Sequence, residues 1–300
     1  MGTLAGRRYR VEHKTEYHYG VTMSSGLTVA HLLLRETAMQ HVISADINVD
    51  PLPEERHTWI DAFGNLAVQF TVASRHDHLT ITAVSEAEVS AALWPDVRET
   101  VGELAELTRA VDGDMATDVA PFLTASPFVP VESVRLVGED TICGALAADR
   151  PAAEAIVDLC GRIFYGFRFD STFSDISTPL ERVVNERRGV CQDFAHLAIA
   201  AMRSAGLAAR YVSGYLETMP PPGMAKMVGV DASHAWCSVW LGPAFGWWDF
   251  DPTNNQLPPR SHVTTAWGRD YGDVAPVRGV VLGPHTEQRM KVSVDVTRLS

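Results

Sequence analysis

The sequence predicts an α+β fold in which an antiparallel, sandwich-like β unit precedes helices packed on an antiparallel sheet. Three observations predict it. From Tyr9 to about Val89, apolar and aromatic residues alternate with polar ones, the period of strands with one buried face. Near Trp94-Pro95-Asp96 the alternation stops, and Pro121, Pro127 and Pro130 interrupt the stretch that runs on to Arg150. After Pro151 apolar residues recur at three- and four-residue steps, and strand-like runs then return. The expected organisation is a β domain over 1–92, a mixed helical connection over 93–150, and a core with the C-terminal strands over 151–300.

In the first unit Val11, His13, Thr15, Tyr17 and Tyr19 share one parity, as do Leu79, Ile81 and Ala83. Further strands are expected at 43–49 and 66–72, separated by Asp50-Pro51-Leu52-Pro53, Gly64-Asn65 and Arg75-His76-Asp77. A short helix is expected within 98–111. Pro151 opens a longer one, in which Ala155, Ile156, Leu159, Ile163 and Phe164 form a stripe. Pro179 to Arg188 reads as helix closed by Gly189. A further helix over 191–205 carries Phe194, Leu197, Ala198, Ala201 and Met202 on one face and stops at Gly206. Strands are then expected at 209–217, 234–241 and 247–250.

Composition narrows the partners. The 300 residues carry a formal charge of −12, unlike a surface that binds nucleic acid or an anionic membrane. No run of apolar residues reaches the length of a membrane span. The first ten residues hold Arg7 and Arg8 with no apolar stretch behind them, so no secretion signal is expected and a cytoplasmic location is. The four cysteines, at 143, 160, 191 and 237, include no CxxC pair, so neither a zinc site nor a disulfide framework is expected. No cofactor or metal is implied.

The chemistry concentrates in Gly189-Val190-Cys191-Gln192-Asp193-Phe194-Ala195-His196, Ser233-His234-Ala235-Trp236 and Asp249-Phe250-Asp251-Pro252-Thr253-Asn254. A thiolate nucleophile needs a base, and the base needs a third group to fix its tautomer. Cys191 falls in the first turn of its helix, where free amide N–H groups and the dipole favour negative charge. Leu241-Gly242-Pro243-Ala244-Phe245-Gly246 reads as a hairpin centred near 243 or 244. Partner numbers then place residue 253 opposite His234, and Asp251 one diagonal away, roughly 7–8 Å between backbones. Asp249 lies a further two residues along the strand, so the register selects Asp251. His196 lies about 140° round the helix from Cys191 and reads as packing. Asp193 reads as a first-turn carboxylate that suits the dipole, Asp231 as a loop former, and Cys237, of opposite parity to His234, as core. Trp236, Trp240, Trp247 and Trp248 read as core with some cleft wall.

These motifs resemble the bacterial transglutaminase-like superfamily, the papain-like grouping described as transglutaminase-like cysteine proteases. Ala208-Ala209-Arg210-Tyr211-Val212-Ser213-Gly214-Tyr215 resembles the strand after the nucleophile helix, and Asp231-Ala232-Ser233-His234-Ala235-Trp236 the histidine motif. Tyr9 to Tyr19 with Asp61-Ala62-Phe63-Gly64-Asn65 resembles the accompanying N-terminal β domain. Residues 268–280 resemble the C-terminal segment. The resemblance implies Cys191 as nucleophile, His234 as base and Asp251 as orienting carboxylate. Cys237 and Ser238 stand where aliphatic or acidic residues are commoner in such proteins, and Phe169 where an aromatic hydroxyl is common.

The expected activity is that of a cysteine-dependent amide hydrolase, a peptidase acting on a peptide or protein substrate through a thioester. Transamidation by the same groups, a non-catalytic peptide-binding module and a metal hydrolase are the alternatives. The Pro-rich stretch 219–230 is expected to border the cleft.

Overall fold

The computed structural model describes residues 4–91, 93–131, 142–218, 233–257, 261–285 and 287–299. The Pro-rich stretch 219–230 and Asp231 therefore lie outside the described residues. Two four-stranded antiparallel sheets form the first unit. One has the order β14-β1-β6-β3, from Gln288–Arg298, Leu4–Met23, His76–Ala91 and Gln40–Asp50. The other runs β13-β2-β5-β4, from Val277–Leu282, Ser25–Ala30, Leu66–Val72 and Glu55–Ile60. Tyr19, Ile47, Leu79 and Ile81 of the first sheet meet Ala30, Val68, Phe70 and Val72 of the second in one core. Of the parity read from the sequence, Val11, His13, Thr15 and Tyr19 are buried and Tyr17 is half-buried.

The last two strands pair with the N-terminal sheets. Residues 277–282 pair with β2, and β14 pairs along β1 from Tyr9↔Arg298 to Tyr19↔Gln288. Antiparallel pairing covers an edge of β1 that would otherwise stand open, and Val294 and Val296 fill the core beside Tyr9 and Val11. Partners so far apart in sequence leave no local mark on either segment.

The second unit is the sheet β11-β10-β9-β12, from Trp247–Phe250, Ser233–Trp240, Ala209–Leu216 and His262–Gly268. One face carries the helices Val101–Arg109, Ala152–Gly166, Leu180–Glu186 and Cys191–Ser204. The Cys191 helix is buried on every side from Asp193 to Arg203, which explains why its apolar residues outnumber one stripe. Helix 180–186 ends at Arg187, whose left-handed φ of 49° does what Gly189 was expected to do. Gly189 instead pairs with Phe169 in a two-residue parallel ladder, Arg168–Phe169 with Arg188–Gly189. A Cβ there would lie 2.8 Å from Asp193 Oδ2, so glycine lets the loop before Cys191 close onto that carboxylate.

Strand β12 has no counterpart among the expected strands. It is buried almost throughout and bulged between Thr264 and Ala266, so its sequence shows no clean alternation. Two side-chain amides from the first unit hold its outer edge. Gln40 Nε2 donates to Thr264 O and its Oε1 accepts Thr264 N–H, both at 2.8 Å. Asn65 repeats the arrangement on Trp267, at 2.8 Å and 2.9 Å. The Asp61–Asn65 turn aims that amide: Asp61 Oδ1 accepts the N–H groups of Phe63 and Asn65, and Oδ2 accepts Asn65 Nδ2. Tyr215 OH with His13 Nδ1 (3.1 Å), and Tyr9 OH donating to Glu217 (3.0 Å), complete the join. The β unit thereby fixes the strand that starts at His262.

Candidate active site

The hairpin register is the one expected. Cys237 pairs with Phe250 and Ser238 with Asp249, so residue 253 falls opposite His234. The side chains close the diagonal: His234 Nε2 lies 2.9 Å from Asp251 Oδ2. Asp249 takes another partner, accepting Trp236 Nε1–H at 2.9 Å. The backbone at His234 is pressed against its neighbour strand, since Gly214 pairs with it and a Cβ on Gly214 would overlap Val263 O and sit 2.6 Å from Trp236. Only glycine permits that approach.

Cys191 stands at the first helical position after Val190, half-buried. Its backbone N–H is among the first four of the helix, which have no intrahelical acceptor. Asp193 folds back so that Oδ2 accepts Val190 N–H at 2.8 Å and Ser174 Oγ–H at 2.5 Å. Burial raises the Asp193 pKa above the ordinary value against those bonds. The helix thus carries its first-turn carboxylate as expected, aimed at the entry loop rather than at Cys191.

Electrostatics distinguish the two imidazoles at this site. Asp251 is fully buried, which alone would raise its pKa; hydrogen bonds from His234 and His262 hold it well below the carboxylate range. Burial lowers the His234 pKa, but hydrogen bonds to Asp251 and to Cys191 outweigh it and raise it to about 10. His262 Nε2 lies 2.8 Å from the same Asp251 oxygen, yet burial prevails and its pKa is lowered. One buried carboxylate supports one imidazolium, and the thiol side decides which. Since Nε2 of His234 meets Asp251, Nδ1 is the nitrogen left for Cys191.

Two partners of Asp251 go beyond the residues that the sequence singles out. His262 is one; Asn254 is the other, donating Nδ2–H to Oδ2 at 2.7 Å. Thr253 and Asn254 N–H groups occupy Oδ1 at 2.8 Å and 3.2 Å. Asn254 stands within the aspartate motif and could be found as a turn residue; His262 can be found only with β12 in place. His234, Asp251 and His262 set three potential ligand atoms within 4.8 Å of one another. Their spacing of 2.8–2.9 Å is that of hydrogen bonds, with both rings donating to one oxygen.

The remaining candidates fall where expected. His196 stacks between Phe128 and Tyr211, accepts Tyr271 N–H at 3.2 Å, and is pushed down to about 3 by burial. Cys237 is buried and donates to Ala195 O on the helix face. All four cysteines are free thiols. Phe169 is exposed. Among the described residues no helix is long and apolar enough to cross a membrane.

Comparison with known proteins agrees with this architecture. Residues 141–252 match the transglutaminase-like superfamily core and residues 9–88 the bacterial transglutaminase-like N-terminal region. An uncharacterized protein of Mycobacterium tuberculosis is 39% identical over 96% of this chain and 92% of its own length. Another, of Mycobacterium leprae, is 32% identical over 98% and 99%. A protein-glutamine gamma-glutamyltransferase of Pseudomonas aeruginosa matches at 36% identity, but over only 25% of this chain and 11% of its own. Among solved structures, one described as "a Putative Cysteine Protease from Cytophaga hutchinsonii" shares the fold, with a TM-score of 0.78 and 20% identity, covering 100% of this chain and 93% of that one. With both of its regions matched and relatives aligned along nearly its whole length, the chain belongs to the transglutaminase-like superfamily.

Proposed function

We propose that the protein is a cysteine-dependent amide hydrolase, a peptidase, with Cys191 as nucleophile, His234 as base and Asp251 as orienting carboxylate. The observation that carries this reading is His234, bonded through Nε2 to Asp251 at 2.9 Å and close enough to Cys191 for both groups to favour its protonated ring. Cys191 Sγ attacks the amide carbonyl carbon, and the Cys191 N–H receives the oxyanion. His234 passes its proton to the departing amine as the C–N bond breaks. It then takes a proton from water, which attacks the thioester and releases the acid and the thiol. Asp251 keeps Nδ1 directed at sulfur throughout.

The testing experiment is the rate of Cys191 alkylation by iodoacetamide against pH, read by peptide mass mapping, in wild type and His234→Ala. Fast alkylation on the acid side of neutrality that His234→Ala abolishes supports a thiolate–imidazolium pair. Slow, identical rates in both would leave a non-catalytic peptide-binding module as the better account. Transamidation is favoured by one observation, the 75-residue match to a protein-glutamine gamma-glutamyltransferase. Supplying a casein substrate with a fluorescent primary amine separates the two: amine incorporation means transamidation, new peptide termini mean hydrolysis.

A further inference from the structure

On the face of the β11-β10-β9-β12 sheet that carries Arg210, beside the β unit, lies a cavity of about 450 Å³. Arg210, Asp249, Trp247 and Trp267 line it, with Ser90 from the β unit and Asp118 at the exposed rim. The volume is that of a small-molecule site. Cys191, His234 and Asp251 do not line it.

Arg210 is 5% exposed, and its buried Nε has no hydrogen-bond partner among the described residues. The guanidinium lies 3.6 Å from the ring centre of Trp267 and 4.3 Å from that of Trp247. Burial lowers its pKa to about 9, opposed through space by Asp249 and Asp118, so it is charged at neutral pH. A buried guanidinium normally meets carboxylate or carbonyl oxygens, and one without them is costly to bury. His262 lines the same cavity with an Nδ1 that is also buried and unpartnered. The acidic groups are each half engaged: Asp249 Oδ2 accepts Trp236 Nε1–H and Asp118 Oδ2 accepts Trp247 Nε1–H.

We propose that this cavity binds a small aromatic or apolar zwitterion of the α-amino-acid type, with its carboxylate on Arg210 and its ammonium on Asp249 and Asp118. Charge selects the class. Arg210 offers a cation to a carboxylate, while Asp249 and Asp118 each keep one oxygen for an ammonium, so a ligand carrying both signs meets both. The indole walls, whose faces carry Arg210 and Arg35, supply apolar surface for a side chain. This inference does not depend on the role of Cys191.

Titration calorimetry and tryptophan fluorescence with three probes test it: L-phenylalanine, 3-phenylpropionate and 2-phenylethylamine. L-phenylalanine is expected to bind saturably and at least about tenfold more tightly than either single-charge analogue, the scale of one charge-assisted hydrogen bond. Arg210→Met should abolish the difference. Because that side chain is buried, Ser90→Trp, which fills the cavity from the β-unit wall, serves as a second variant. It should remove binding and leave Cys191 alkylation as in wild type. Absence of saturable L-phenylalanine binding to wild type, equal affinity for either analogue, or wild-type affinity in folded Ser90→Trp would each overturn the proposal.

Discussion

Replacing Asp251 by asparagine removes one charge and almost no volume, and so tests what holds the imidazolium. His234 is raised from 6.5 to about 10, a preference for the protonated ring of roughly 5 kcal/mol at about 1.4 kcal/mol per tenfold. Two partners share that preference, Asp251 and Cys191, while burial works against both. Assigning about half to Asp251 gives a loss of roughly 2–3 kcal/mol, or about 30- to 150-fold in the population of the thiolate–imidazolium pair. Asparagine keeps one acceptor oxygen, which can serve the Thr253 and Asn254 N–H groups and so preserve the turn, while its NH2 group faces the two imidazoles as a donor. The assay is iodoacetamide alkylation of Cys191 at mildly acidic pH, followed by intact mass, with near-ultraviolet circular dichroism as the fold control. A folded Asp251→Asn that alkylates within about twofold of wild type would refute the reasoning, since the share assigned to Asp251 would then be close to nothing.

His262→Leu is expected to slow alkylation about tenfold or more by freeing Asp251 Oδ2 to rotate, while His262→Gln, which keeps an N–H near the Nε2 position, restores most of it; equal rates in the two variants would show that the ring only fills space. Asn65→Ala strips the Trp267 N–H and C=O of their partners and should lower the urea-derived stability by roughly 2–4 kcal/mol. The raised pKa of His234 contributes stability that is complete below 6.5 and is lost as pH climbs through about 10. The difference in urea midpoint between wild type and His234→Gln should therefore shrink steadily across that window, and a difference that grows with pH would contradict the assignment.

Much of this site is legible from the chain alone, because its constraints are local or come from simple counting. Hairpin arithmetic pairs residue 253 with His234 and so selects Asp251 over Asp249. Strand parity puts Cys237 in the core, and the glycine-led entry marks a helix start at Cys191. The parity of Val11, His13 and Thr15 marks the inner face of β1 in the same way. Features that the sequence could not reveal depend on partners brought together from distant segments. Strand β12 is buried on both faces, and buried strands lose the alternation that would announce them. Without β12, neither the second imidazole on Asp251 nor the Gln40 and Asn65 amides that clamp its edge had a visible purpose. Likewise β13 and β14 join the first two sheets through edge hydrogen bonds and core packing that neither segment shows locally. The sequence by itself marked Cys191, His234 and Asp251 as candidates and placed them on their elements; tertiary structure alone decided how two imidazoles share one buried carboxylate oxygen, since that depends on burial and on a strand from a distant segment.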